Sequence, residues 1–254
     1  MKKTATLSTA ILILLLLGCA AVPRTTLAEY DAEYPAQEPA IAEAAKPDMR
    51  PMIALTFDDG PSEHTDSILD VLKRYGGRAT FFVMGYLVET WQDTIIRAVG
   101  GGNEIAGHTW SHRALPYLSR RAIIETIQST SAAIEKAAGI PSPFFFRPPY
   151  GMISQRVVDV SADMGYAIVN WTLDTWDWRL RDADLVYDAV MRAAAEGDII
   201  LLHDIHRTTA AAMQRVIPSL VAAGFRLVTV SELLQHLYGG LEPGKIYGRR
   251  IMAE

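Results

Sequence analysis

From Met52 onward the chain alternates short, nearly unbroken apolar runs with longer amphipathic segments, and this alternation restricts the fold more than any other feature. The runs are "MIALTF" (52–57), "ATFFVM" (79–84), "NEIAG" (103–107), "PFFFR" (143–147), "YAIVNW" (166–171), "DIILLH" (198–203) and "FRLVTV" (225–230). They have strand length and are rich in branched and aromatic residues. Between them lie "SEHTDSILDVLKRYG", "SRRAIIETIQSTSAAIEKAAG", "SQRVVDVSADMG" and "ADLVYDAVMRAAAEG", with helical spacing, polar starts and terminal glycines. Continuous apolar strands separated by helices imply a parallel sheet covered by helices. The expected fold is therefore α/β, a distorted, closed or nearly closed βα barrel of about seven parallel strands rather than two domains.

The segments flanking this core read differently. "MKKTATLSTAILILLLLGCAAVP" has a basic start and a short apolar stretch from Ala10 to Leu17, the form of a secretory signal rather than of a membrane span. Leu16-Leu17-Gly18-Cys19 resembles a bacterial lipobox, which implies cleavage before Cys19 and lipidation of its thiol. The alternative is an incidental cysteine in a signal removed further on, after Ala28. The expected organisation is a lipoprotein signal peptide (1–18), a flexible Ala-, Pro- and acid-rich tether (19–49), one globular domain (50–238) and a peripheral tail (239–254). The protein is expected to be exported and lipid-anchored to a bacterial membrane, facing the cell wall or periplasm. Cys19 is the only cysteine, so intramolecular disulfides are excluded. The net charge is −5, and −7 without residues 1–18, whose charges are Lys2 and Lys3, which argues against a nucleic-acid partner.

In a βα barrel, functional residues gather on the loops after the strands' C-terminal ends. The unusual polar residues of this chain lie there. "TFDDGPS" places Asp58 and Asp59 at the end of the first run, and a helix cap and turn account for only one of them. "HTWSH" sets His108 and His112 four apart, so that on a helical turn both imidazoles face one way. With one aspartate they form a facial set that leaves coordination positions open. Asp59 can complete that set while Asp58, aimed differently, stays free as a base. Arg147 in "FRPPYG" can hold a carboxylate ionised and oriented. Trp176 and Trp178 in "LDTWDW" are either core or a surface for sugar rings, and His203 is a candidate general acid. His64, His206 and His236 have no comparable company and are read as structural.

Taken in order, "TFDDG", "HTWSH", "RPPYG", "DTWDW" and "LLH" resemble the five motifs of NodB-like polysaccharide deacetylases, carbohydrate esterase family 4, over about residues 50–235. The resemblance implies a distorted βα barrel and a hydrolase that removes acetyl groups from glycans. It implies Asp58 as catalytic base, with Asp59, His108 and His112 binding one divalent transition metal, zinc first, with Co, Mn, Ni or Fe as alternatives. Arg147 would orient Asp58, the Tyr150 N–H would bind the oxyanion, and His203 would be the acid, tuned by Asp174. Trp178 and Leu201 would line the pocket for the acetyl methyl group. "HDIHRTTAAAM" is similar to the peptidoglycan-modifying branch, which favours N-acetylglucosamine of peptidoglycan, or chitin-like oligomers, as the N-acetylated substrate. An acetyl xylan O-deacetylase and a non-catalytic wall-binding lipoprotein are the alternatives.

Overall fold

The computed structural model describes residues 48–248. The expected signal segment, Cys19 and the tether up to residue 47 lie outside the described residues, as do residues 249–254 of the tail.

All seven apolar runs contain a strand: β1 (Met52–Asp58), β2 (Thr80–Val83), β3 (Glu104–Gly107), β4 (Phe145–Phe146), β5 (Ala167–Val169), β7 (Ile199–His203) and β8 (Arg226–Leu227). Two more two-residue strands, β6 (Leu173–Asp174) and β9 (Ile246–Tyr247), escape the sequence pattern because, unlike β4 and β8, they do not lie within a longer apolar run. Every ladder is parallel. The order is β6-β7-β1-β2-β3-β4-β5-β9, with β8 alongside the start of β1. β6 and β9 end this order, so the barrel is open between them. The expectation of a peripheral tail fails at β9, where Ile246 and Tyr247 pair with Ile168 and Val169 and Tyr247 is buried.

The four expected helices are α1 (Thr65–Arg74), α3 (Arg120–Ala138), α4 (Gln155–Asp163) and α6 (Ala183–Ala193). Four others are α2 (Gln92–Gly100), α5 (Asp177–Leu180), α7 (Arg207–Ala222) and α8 (Val230–Tyr238). α7 carries Pro218 within it, and α8 takes Val230 from the end of the "FRLVTV" run. There Thr229 and Glu232 form a reciprocal capping box, which ends the extended chain at that point.

Period-two alternation sorts the strand residues between two faces. Ile53, Leu55 and Phe57 of β1 pack with Ile68, Leu72, Met213 and Val216 of α1 and α7. Met52 and Ala54 join Phe82, Phe145, Ala167 and Val169 in a second cluster. The same inward rule carries Thr56 and Asp58 to that interior face. On β7, Ile200 and Leu202 pack outward, while Leu201 and His203 face inward at the C-terminal end.

Candidate active site

Asp58 is the last residue of β1 and follows the strand's inward alternation. Continued extension would send Asp59 to the opposite face, but Asp59 has φ 73° and turns the chain back. Both carboxylates therefore border one cavity of about 350 Å³, with His108, His112, Tyr150, Trp171, Asp174, Trp178, Leu201 and His203. Of the residues expected at the site, Arg147 lies buried behind this wall and Trp176 stands outside the lining.

The histidine pair differs from expectation in its backbone. Residues 108–112 form a turn in which Thr109 and His112 have φ 68° and 57°, so the four-residue spacing converges without a helix. His108 is fully enclosed and its Nδ1 lies 2.8 Å from the Arg147 carbonyl oxygen. A carbonyl only accepts, so Nδ1 carries the proton and Nε2 presents a lone pair. Burial, the largest influence, lowers the His108 pKa to about 3, overcoming the nearby Asp59 charge and keeping the ring neutral. Asp59 Oδ1 lies 3.5 Å from His108 Nε2 and 3.3 Å from His112 Nε2. That buried oxygen has no hydrogen-bond partner. A lone pair and a carboxylate oxygen thus face each other, an arrangement that a cation between them satisfies. One ligand atom from each of the three residues lies within 4.8 Å of the others, so the donor set fits a divalent metal of the nitrogen- and oxygen-binding kind.

Arg147 is 0% exposed and fully committed. Its Nη1 donates to Asp58 Oδ1 at 2.6 Å and to Thr56 Oγ1 at 2.8 Å, while Nη2 and Nε donate to the carbonyls of Asn170 and Val169. The Phe82 ring lies 4.0 Å from the guanidinium carbon. Asp58 Oδ1 is thereby tied down, and Oδ2 points toward the cavity, 3.8 Å from His108 Nε2. Burial raises the Asp58 pKa against the opposing pull of Arg147, making the carboxylate a stronger base than a solvent-exposed one.

The partner of His203 corrects the expected assignment. Asp174 does not hold His203; its Oδ1 accepts the Trp176 N–H at 2.9 Å. Asp177 holds it instead: Oδ1 accepts from His203 Nδ1 at 2.8 Å, and Oδ2 accepts the His203 N–H and the Thr209 hydroxyl, both at 2.7 Å. The reason is local. A left-handed Trp176 between the two aspartates turns Asp177 into the protein and leaves Asp174 on the cavity wall. Burial opposes charge on His203, but the Asp177 hydrogen bond and charge, aided by Asp58 and Asp59, carry its pKa up to about 9. The ring is protonated at neutral pH, with Nε2–H free to donate. His206, read as structural, stacks on His203 with centroids 5.9 Å apart and has Nδ1 2.8 Å from Arg181.

One buried acid carried no signal in the sequence. Asp204, 1% exposed, sits behind the Asp58–Asp59 loop. Its Oδ2 accepts the Thr65 hydroxyl, its carbonyl accepts the Ser62 hydroxyl, and its Oδ1 has no partner. Burial, despite the Thr65 hydrogen bond, raises its pKa to about 7.

Comparison with known proteins agrees with this geometry. A profile described as polysaccharide deacetylase matches residues 45–169. Peptidoglycan-N-acetylmuramic acid deacetylase PdaC of Bacillus subtilis is 43% identical over 183 residues, covering 72% of this chain and 38% of that protein. A peptidoglycan-N-acetylglucosamine deacetylase of Bacillus cereus is 35% identical over 196 residues, covering 75% of this chain and 91% of that protein. The chain thus spans about two-fifths of PdaC and nearly all of the Bacillus cereus protein. Among solved structures, a family 4 acetyl xylan esterase from Clostridium thermocellum in complex with a cobalt ion has a TM-score of 0.71 at 34% identity, covering 79% of this chain and 100% of that one. Fold, site geometry and sequence likeness agree, and the chain belongs to the polysaccharide deacetylase family, carbohydrate esterase family 4.

Proposed function

We propose that the protein is a metal-dependent hydrolase that removes N-acetyl groups from a cell-wall glycan, with N-acetylglucosamine of peptidoglycan as its substrate. The observation that carries this reading is the buried, unpartnered Asp59 Oδ1 opposite two imidazole nitrogens, in a cavity that also holds Asp58 and His203. The peptidoglycan-directed relatives support the substrate, and the cobalt-bound family member supports a transition ion, zinc being our choice for this chain.

Asp59, His108 and His112 would hold the metal. When bound, it supplies a Lewis acid that polarises the acyl carbonyl and activates water for attack. Asp58 takes the water's proton at Oδ2, while Arg147 fixes Oδ1 and so sets the direction of transfer. The Tyr150 N–H, on a left-handed turn with φ 61° at the cavity wall, stabilises the charge that develops on the carbonyl oxygen. His203, held by Asp177 and protonated at neutral pH, delivers the proton that lets the sugar amine depart. Trp178 and Leu201 border the space for the acetyl methyl group. The products are acetate and a glycan bearing a free amine. Export and anchoring through Cys19 would place this chemistry beside the wall.

The test is acetate release from N-acetylglucosamine oligomers, peptidoglycan and acetylated xylan, with metal-free and zinc-, cobalt- or manganese-loaded protein. Metal-dependent release from the N-acetylated glycans is expected. Release from xylan alone would make the protein an O-deacetylase, and no release from any glycan would favour a binding role.

A further inference from the structure

The loop after β6 presents its residues alternately inward and outward. Thr175 is buried and donates its hydroxyl to the Leu201 carbonyl at 2.8 Å. Asp177 is buried against His203. Trp176, pinned between them, is 47% exposed, and Trp178 is 43% exposed. The Trp176 backbone is left-handed, with φ 57° and ψ 22°, which is uncommon for a bulky side chain. The Asp174 carboxylate fixes it there through the Trp176 N–H. A simple solvent-facing turn at this position would be less strained with glycine or asparagine. A bulky ring held outward in a strained conformation beside a reactive cavity points to use of that ring.

The two indoles lie 5.7 Å apart at 31°, so one platform runs from the cavity to the rim. Trp178 borders the cavity, whereas Trp176 stands outside its lining. At about 350 Å³ the cavity is near the small end of ligand sites, and the remainder of a polymer must lie across the rim. A pyranose ring presents a flat face of C–H groups with hydroxyls at its edge. That face packs on an aromatic ring while the hydroxyls stay in water.

We propose that Trp176 is a separate sugar-binding position, stacking the pyranose ring adjacent to the one whose acetyl group is removed. It rests on the glycan-deacetylase reading above and adds that the enzyme recognises at least two consecutive sugars.

The experiment compares full-length, zinc-loaded wild type, Trp176→Ala and Trp176→Phe. Acetate release is measured from N-acetylglucosamine oligomers of increasing length and from p-nitrophenyl acetate, a small ester without a sugar. Binding of the oligomers is followed in parallel by tryptophan fluorescence. For Trp176→Ala the ratio of kcat/KM on long oligomers to that on the small ester should fall about tenfold, the order expected for loss of one apolar ring contact. The loss should appear mainly in KM and grow with oligomer length, and Trp176→Phe should restore most of it. An equal loss on every substrate, or no loss on long oligomers, would overturn the proposal. So would a change in sedimentation, which would mark the platform as a contact between copies of the chain. If wild type releases acetate only from the small ester, the deacetylase reading fails; unaltered oligomer binding in Trp176→Ala would then overturn this proposal separately.

Discussion

The backbone of Gly60 lies against the carboxyl group of Asp204, in space that a Cβ at position 60 would fill. The residue after Asp59 is thereby seated on the residue after His203, so the position of the loop depends on the end of β7. Ser62 and Thr65 strengthen the seat through their hydroxyls. Gly60→Ala should overpack this contact and destabilise the fold by about 1–3 kcal/mol. By displacing Asp59 it should also weaken metal affinity roughly 10–100-fold. Thermal unfolding and a competitive metal titration measure the two effects; unchanged affinity would show that the loop is held by other contacts.

The adjacent aspartates should separate cleanly. Asp58→Asn should retain the metal and lose roughly 10²–10⁴-fold in rate, the contribution of a positioned base. Asp59→Asn and His108→Ala should lower metal content itself, because both supply the donor set. Metal analysis alongside kcat decides between these roles, and equal metal loss in Asp58→Asn and Asp59→Asn would make both residues ligands.

The aspartates flanking Trp176 should differ in the pH profile. His203 must be protonated to act, so kcat/KM should fall on the alkaline side of its pKa, which Asp177 raises. Asp177→Asn should move that limb to lower pH, whereas Asp174→Asn should leave it in place. Stability follows the same sign. The folded pKa of about 9 lies above the ordinary 6.5, so His203 protonation stabilises the fold fully below about pH 6.5. That contribution is lost as pH rises through about 9, and a pH series of melting temperatures for wild type and Asp177→Asn checks it.

Anchoring is tested at Cys19. A single acyl chain attaches a protein only marginally, whereas several hold it stably. Cys19→Ala should therefore shift the protein from the membrane to the soluble fraction in a fractionation assay. Unchanged association would mean that another segment holds it.

The parts of this site that could be read from the sequence are those where residue type alone narrows the chemistry. Paired histidines, adjacent carboxylates and an arginine between an apolar run and two prolines each have few uses at a barrel mouth. Strand positions were equally legible, because unbroken apolar runs mark the core, but their ends were not: "FRLVTV" outruns β8 until the Thr229 cap turns the chain into a helix. The Asp174–Asp177 choice was not legible, since both stand in one six-residue motif and the backbone turn at Trp176 decides which faces inward. Asp204 was hidden beside His203 because its role arises from contact with Gly60, far away in the chain. β9 was missed because its two residues stand between glycines and charges, without the longer apolar run that revealed the equally short β4 and β8.

The position of β1 between β2 and β7 also sets an order of events in time. The Thr56 hydroxyl bonds the Ile200 carbonyl, 144 residues later in the chain. Parallel pairings of such long range form slowly. As the polypeptide emerges, β1 comes first among the described strands, yet its β7 side stays open until most of the domain exists. An apolar strand with an unpaired edge is a surface on which strands of other molecules can add. A chain cut or stalled before residue 199 should therefore aggregate rather than accumulate as a smaller folded unit, even though most of the residues bordering the cavity have by then been made.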